Sequence, residues 1–150
     1  MRRFLILLAA LASLLAAPVS AAGSKVSGGT APKALDRVDR VVVQINEDDS
    51  KKWHAVLANI HNIQAELGAG NVRIAVVVIG PGLGMLMADA LTANGVQDAM
   101  AAGVEFVACG NSMKALKIDQ ADRIEGVGVT VAGYVDLIRR QRQGWAYLRP

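Results

Sequence analysis

The chain has 150 residues, 53% of them hydrophobic, with 16 Lys+Arg against 13 Asp+Glu and a formal net charge of +3. No basic cluster is interleaved with its few aromatics, which argues against nucleic acid as a partner. A single cysteine, Cys109, excludes any disulfide within the chain.

The first segment reads MRRFLILLAALASLLAAPVSAAG. Arg2 and Arg3 give a positive start, Phe4 to Ala17 a mainly apolar run, and Pro18 breaks it before a string of small residues. That order predicts a secretory signal peptide over 1–22, cleaved after Ala22 or, second, after Ala21. The apolar run is shorter than the roughly 20 residues a membrane-spanning helix needs. Cleavage leaves residues 23–150, enough for one domain with its own core, and no membrane attachment. Loss of the two arginines brings the mature chain close to neutral. The expected location is the periplasm. Residues 23–37, rich in Gly and Ser at their start, read as a flexible linker, and a single domain is expected over 38–150.

RVVVQI at 40–45 is an apolar run suited to a buried strand. Asp49 or Ser50 can cap the helix that follows, in which Trp53, Val56, Leu57, Ile60, Ile63 and Leu67 recur at helical spacing up to the stop at Gly68. VRIAVVVIG at 72–80 predicts a second strand, PGLG a turn, and Met85 to Leu91 a short helix. A helix over 94–103 stops at Gly103, and VEFVAC at 104–109 is a third strand. Asn111 or Ser112 is expected to cap the next short helix. EGVGVT at 125–130 is a weaker fourth strand, 131–144 a helix ending at Gly144, and WAYL at 145–148 a last short strand. The RRQRQ run at 139–143 is expected to complement the helix dipole and face solvent. Strands alternating with helices, with strands apolar throughout, predict an α/β sheet, mainly parallel and covered on both faces.

In such sheets reaction sites lie beyond the carboxyl ends of the strands. Cys109 falls at one of those ends, just before Gly110, Asn111 and Ser112, where a helix should start. A thiol beside a helix N-terminus meets unpaired N–H groups that favour the nucleophilic thiolate. The alternative is a structural cysteine closing the top of the strand, since free cysteine is among the most buried residue types. Gly80, Pro81, Gly82 and Gly84 follow another strand and can shape a wall of the same pocket or make only a tight turn. Their spacing misses G-x-G-x-x-G because position 85 is Met, and no Walker lysine follows, so a nucleotide site is not expected. His54 and His61 stand seven apart on one helix, too far for a metal pair, and Met85, Met87 and Met113 read as core filler. Neither a metal nor a cofactor is expected.

VVVQIN, KWHAVLANIHNIQAELG, VVVIGPGLGML, GVEFVACGNSM and RRQRQGWAYLRP together resemble the DsrE/DsrF-like family over about Val41 to Pro150. The resemblance implies a three-layer α/β/α sandwich on a five-stranded, mainly parallel sheet. It implies assembly as homo- or hetero-oligomers, often trimers or hexamers. In the sulfur-relay branches a cysteine in an equivalent region carries sulfane sulfur as a persulfide, a role the resemblance gives to Cys109. The expected function is that of a sulfurtransferase-like sulfur carrier, its donor and acceptor unspecified. The competing expectation is a non-catalytic oligomeric module that binds a small molecule or a protein and keeps Cys109 as a structural residue.

Overall fold

The computed structural model describes residues 38–150. The expected signal peptide and linker lie outside the described residues.

The elements alternate along the chain. Strand β1 (Asp39–Ile45) leads to helix α1 (Ser50–Leu67) and strand β2 (Val72–Val78). A 3-10 segment (Gly80–Leu86) and helix α2 (Ala93–Ala101) come before strand β3 (Glu105–Cys109). Helix α3 (Gly110–Leu116), strand β4 (Gly128–Thr130), helix α4 (Gly133–Arg142) and strand β5 (Ala146–Leu148) complete the domain. The sheet order is β4-β3-β2-β1-β5, and every pairing is parallel.

That order follows from the connections. From β1 to β4 the chain steps in one direction, so right-handed crossovers keep α1, α2 and α3 on one face. The step from β4 back to β5 runs the other way and carries α4 across the opposite face. The buried side chains divide accordingly. Val41, Val43, Ile45, Ile74, Val76, Val78, Phe106 and Ala108 pack toward α1 and α2 with Trp53, Val56, Ile60 and Val96. Val42, Ala75, Val77, Val107 and Cys109 point the other way, to Leu137 of α4. The period-2 alternation of each strand thus feeds two cores, which is why the strands read as unbroken apolar runs.

Asp49 caps α1 as expected, its carboxylate accepting from the amides of Lys51 at 3.0 Å and Lys52 at 3.1 Å. Gly68 and Gly103, at φ +85 and +87, follow the ends of α1 and α2 where a positive φ is needed. Three expectations are corrected. Met85 to Leu91 is not a helix: Leu83, Met85 and Leu86 are all buried in the core, and Met87 extends to bridge Arg123. No single exposed face is left for an amphipathic helix. The cap of α3 is Cys109 rather than Asn111 or Ser112, with no side-chain cap bond. The Ser112 oxygen is instead taken by the Gly80 amide, at 2.9 Å. The arginine run does not face solvent as a whole. Arg140, 12% exposed, lies against the Trp145 ring at 4.8 Å and pairs with Glu105 at 2.8 Å and Asp136 at 2.9 Å.

Candidate functional site

The connection leaving β3 runs to α3 on one face, and the connection leaving β4 runs to α4 on the other. Two adjacent parallel strands whose exits diverge leave a crevice at their carboxyl ends, the usual place of a ligand or reaction site in this architecture. Cys109 is the last residue of β3 and stands in register with Thr130 of β4, so it falls at that crevice.

Both walls present backbone N–H groups. Gly133, the first residue of α4, donates its amide to Cys109 Sγ at 3.2 Å. Gly110 starts α3, and a Cβ there would stand 3.1 Å from the carbonyl oxygen of Thr130. The absence of that Cβ lets α3 approach the β4 exit, and the Asn111 amide then donates to Val131 O at 3.1 Å. Gly133 is under the same constraint. Its Cβ would meet Ile79 Cγ1 at 2.7 Å and Cys109 Cβ at 3.2 Å.

The thiol itself is 4% exposed. Burial, the largest influence, pushes its pKa up, because it penalises the thiolate. The Ser112 hydroxyl and the amides of Gly133, Ser112 and Asn111 act the other way, and together they hold the pKa below the ordinary thiol value. The polar groups at the sulfur therefore outweigh its desolvation. The Ser112 hydroxyl oxygen is fixed from behind by the Gly80 amide, so the 3-10 segment supports the sulfur's surroundings without touching the sulfur.

The predicted site residues are thus only partly gathered. Cys109, Gly110, Asn111 and Ser112 surround the strand end, and Gly80 reaches them through Ser112. Pro81 is exposed at the surface. Gly82 and Gly84 face elsewhere: a Cβ at Gly82 would stand 3.0 Å from Ile45 O, and one at Gly84 would stand 2.8 Å from the Trp53 ring. Those two glycines let the 3-10 segment lie flat on β1 and α1 and do not line the sulfur's environment. Gly133 and Val131 were not expected at the site. The one signal for Gly133 in the sequence is a glycine inside VAGYV, between Ala132 and Tyr134. Among the described residues no group of three or more His, Cys, Asp or Glu is placed to hold a metal ion.

These features define a doubly wound parallel α/β protein with a lone, amide-surrounded cysteine at its switch point. Residues 41–150 match the DsrE/DsrF-like family, and the chain belongs to it. It is similar to a protein of unknown function from Methanobacterium thermoautotrophicum, MTH1491, at 38% identity and TM-score 0.72, over 75% of this chain and 99% of that one. Two further solved structures share the fold. One is a conserved protein of unknown function from Bacteroides thetaiotaomicron, BT1422, at 13% identity, TM-score 0.62, 75% of this chain and 95% of that one. The other is the ychN protein from E.coli, at 14% identity, TM-score 0.64, 75% of this chain and 99% of that one. No curated protein matches the chain.

Proposed function

We propose that this protein is a sulfur carrier that uses Cys109 as its persulfide-forming residue. The observation that carries the reading is the sulfur's placement: Cys109 ends β3 at the crevice beside the β4 exit and the start of α3, and its Sγ accepts the Gly133 amide at 3.2 Å, with its pKa held below the ordinary thiol value. Membership of a family with sulfur-relay branches agrees with it. In the first step the Cys109 thiolate attacks the terminal sulfur of a persulfide or polysulfide. A new S–S bond forms at Cys109, the donor's S–S bond breaks, and the donor leaves as a thiolate with the bonding electron pair. In the second, an acceptor thiolate attacks the outer sulfur and Cys109 leaves as thiolate, its charge again met by the Gly133 amide. Export of residues 23–150 puts this exchange in the periplasm.

Exposure of the protein to polysulfide should add one sulfur atom to the intact mass, removable by reductant and absent in Cys109→Ser. Equal mass profiles for wild type and Cys109→Ser would leave the carrier reading without its chemistry. A second reading, a binding module with a structural cysteine, is favoured by one observation. Cys109 sits in the smaller core with Ile79 and Leu137. A thiol that reacts only after unfolding decides for it.

Two companion proposals concern the assembled, mature protein. Trp145 packs within its own subunit beneath Arg140, and Tyr147 donates its hydroxyl to Gln44 at 2.6 Å. One open apolar surface is formed by Val129 on β4, Val131 in the turn that follows, and Tyr134, Val135 and Ile138 of α4. We propose that copies of this chain associate through it; apolar faces of this kind mark association sites. Light scattering at micromolar concentration should give a mass well above one chain, and a monomer mass throughout removes the proposal. N-terminal sequencing of the exported form should begin at Gly23 or Ala22. A retained Met1 would contradict processing.

A further inference from the structure

The amino edge of the sheet, opposite the end that carries Cys109, holds two arginines that no carboxylate meets. Arg40 on β1 and Arg73 on β2 are register partners, so their side chains leave the same face of the sheet. Neighbouring strands lie about 4.8 Å apart, and like charges that face each other across them repel. Among the described residues none of the ion pairs includes either arginine. Glu105 follows on the same face of β3, but both its oxygens already accept from Arg140, at 2.9 and 2.8 Å. Asp39 directly precedes Arg40 and so points to the other face of β1. Both arginines are exposed, and both line a cavity of about 530 Å³. The cavity is a notch in the sheet. β5 begins at Ala146, opposite Val41, so the first two residues of β1 extend past it. Asp39 donates its amide to Asn71 O at 2.8 Å, on the β2 side. Successive amides of a strand point to opposite edges, so the Arg40 amide points into the notch. The Arg40 guanidinium is steadied by one bond, from Nη1 to Gln143 O at 3.3 Å.

We infer that this notch binds a small molecule through a tetrahedral dianion, a phosphate or sulfate group. A dianion set between the two guanidinium groups offsets both charges, whereas a monoanion offsets one. Each guanidinium presents a fork of N–H donors that suits the oxygens of such a group. The Arg40 amide adds a donor on the strand itself. Val41 and Leu67 line the same cavity and give the rest of an ester an apolar surface to rest on. The notch lies at the other end of the strands from Cys109. The site is therefore independent of the sulfur chemistry.

The test is a backbone-amide NMR titration of the wild-type protein with inorganic phosphate and, separately, with sulfate, against acetate and sodium chloride at matched ionic strength. The expected result is a saturable shift of the Arg40 and Arg73 amides with a dianion and none with chloride. A shift with only one of the two oxyanions identifies that one as the ligand group. Affinity should fall roughly tenfold or more in Arg40→Gln and in Arg73→Gln, since each removes one of the two charge-assisted forks. Both side chains are exposed, so both variants should fold. Lys114→Gln, which removes an exposed charge on α3, should bind as wild type does. Absence of a saturable shift in the wild-type protein overturns the site. An equal loss in Lys114→Gln overturns it in favour of net charge alone. Acetate binding as tightly as phosphate and sulfate overturns the dianion assignment. A response seen only in Asp39→Asn would make Asp39 the counter-charge, and there would be no external site.

Discussion

Gly133→Ala is expected to lower the unfolding free energy by about 1–3 kcal/mol, the usual range for atoms added to a filled core. The new Cβ would arrive 2.7 Å from Ile79 Cγ1, 2.9 Å from Ile79 Cδ1 and 3.2 Å from Cys109 Cβ. Ile79 is 7% exposed and closes the smaller core, so its side chain has little space to turn into. The strain can be relieved in two ways with different chemical results. If α4 lifts, the Gly133 amide leaves Sγ and the thiol loses one of the groups that lower its pKa. If Ile79 yields, the amide keeps its 3.2 Å contact and only stability changes. Chemical denaturation measures the first quantity, and the pH dependence of thiol alkylation measures the second. Ile79→Ala in the same background should recover part of the loss, since the two side chains compete for one space. A Gly133→Ala protein as stable as wild type would mean that α4 does not sit this close to β3.

The parts of the fold that could be read from the sequence were those set by one segment alone. β1, β2 and β3 appeared at nearly their true limits because strands buried on both faces must be apolar at every position. Cys109 was placed at a strand end for the same reason. β4 was predicted over 125–130 but pairs only over Gly128–Thr130, because Gly126, at φ +87, and the Arg123–Val127 bond hold the preceding residues in a turn. What stayed hidden depended on partners distant in the chain. Arg140 reads as a solvated helix end within its own segment, yet Glu105, 35 residues earlier, accepts two of its hydrogen bonds. Gly133 looked like an ordinary helix residue. Its necessity comes from Ile79 and Cys109, which only the sheet order brings beneath it. Ser112 was expected as a cap and serves instead as a bridge to Gly80.

Ser112→Ala should raise the Cys109 pKa and slow alkylation near neutral pH, because it removes the hydroxyl that most offsets burial. It also leaves the half-buried Gly80 amide without its acceptor, at a cost of about 1 kcal/mol in stability. The two consequences separate by pH. The folded protein holds the thiol pKa below that of the unfolded chain, so it favours the thiolate. The resulting stabilisation is fully present above the ordinary thiol pKa of about 8.5 and is lost as pH falls through the depressed folded value. Wild type should therefore gain stability relative to Cys109→Ser as pH rises toward that limit, then level off. In Ser112→Ala the pH-dependent gain should shrink or reverse, since burial alone disfavours the thiolate, while the Gly80 loss persists at every pH. Urea titrations across this range, paired with alkylation rates, measure both. Cys109 is 4% exposed with the Gly133 amide against its Sγ, so alkylation requires the segment around Gly133 to open. Opening scales the rate at every pH and leaves the midpoint to the thiol. A wild-type midpoint above that ordinary value, or identical midpoints in wild type and Ser112→Ala, would mean that burial governs this cysteine and that its neighbours do not activate it.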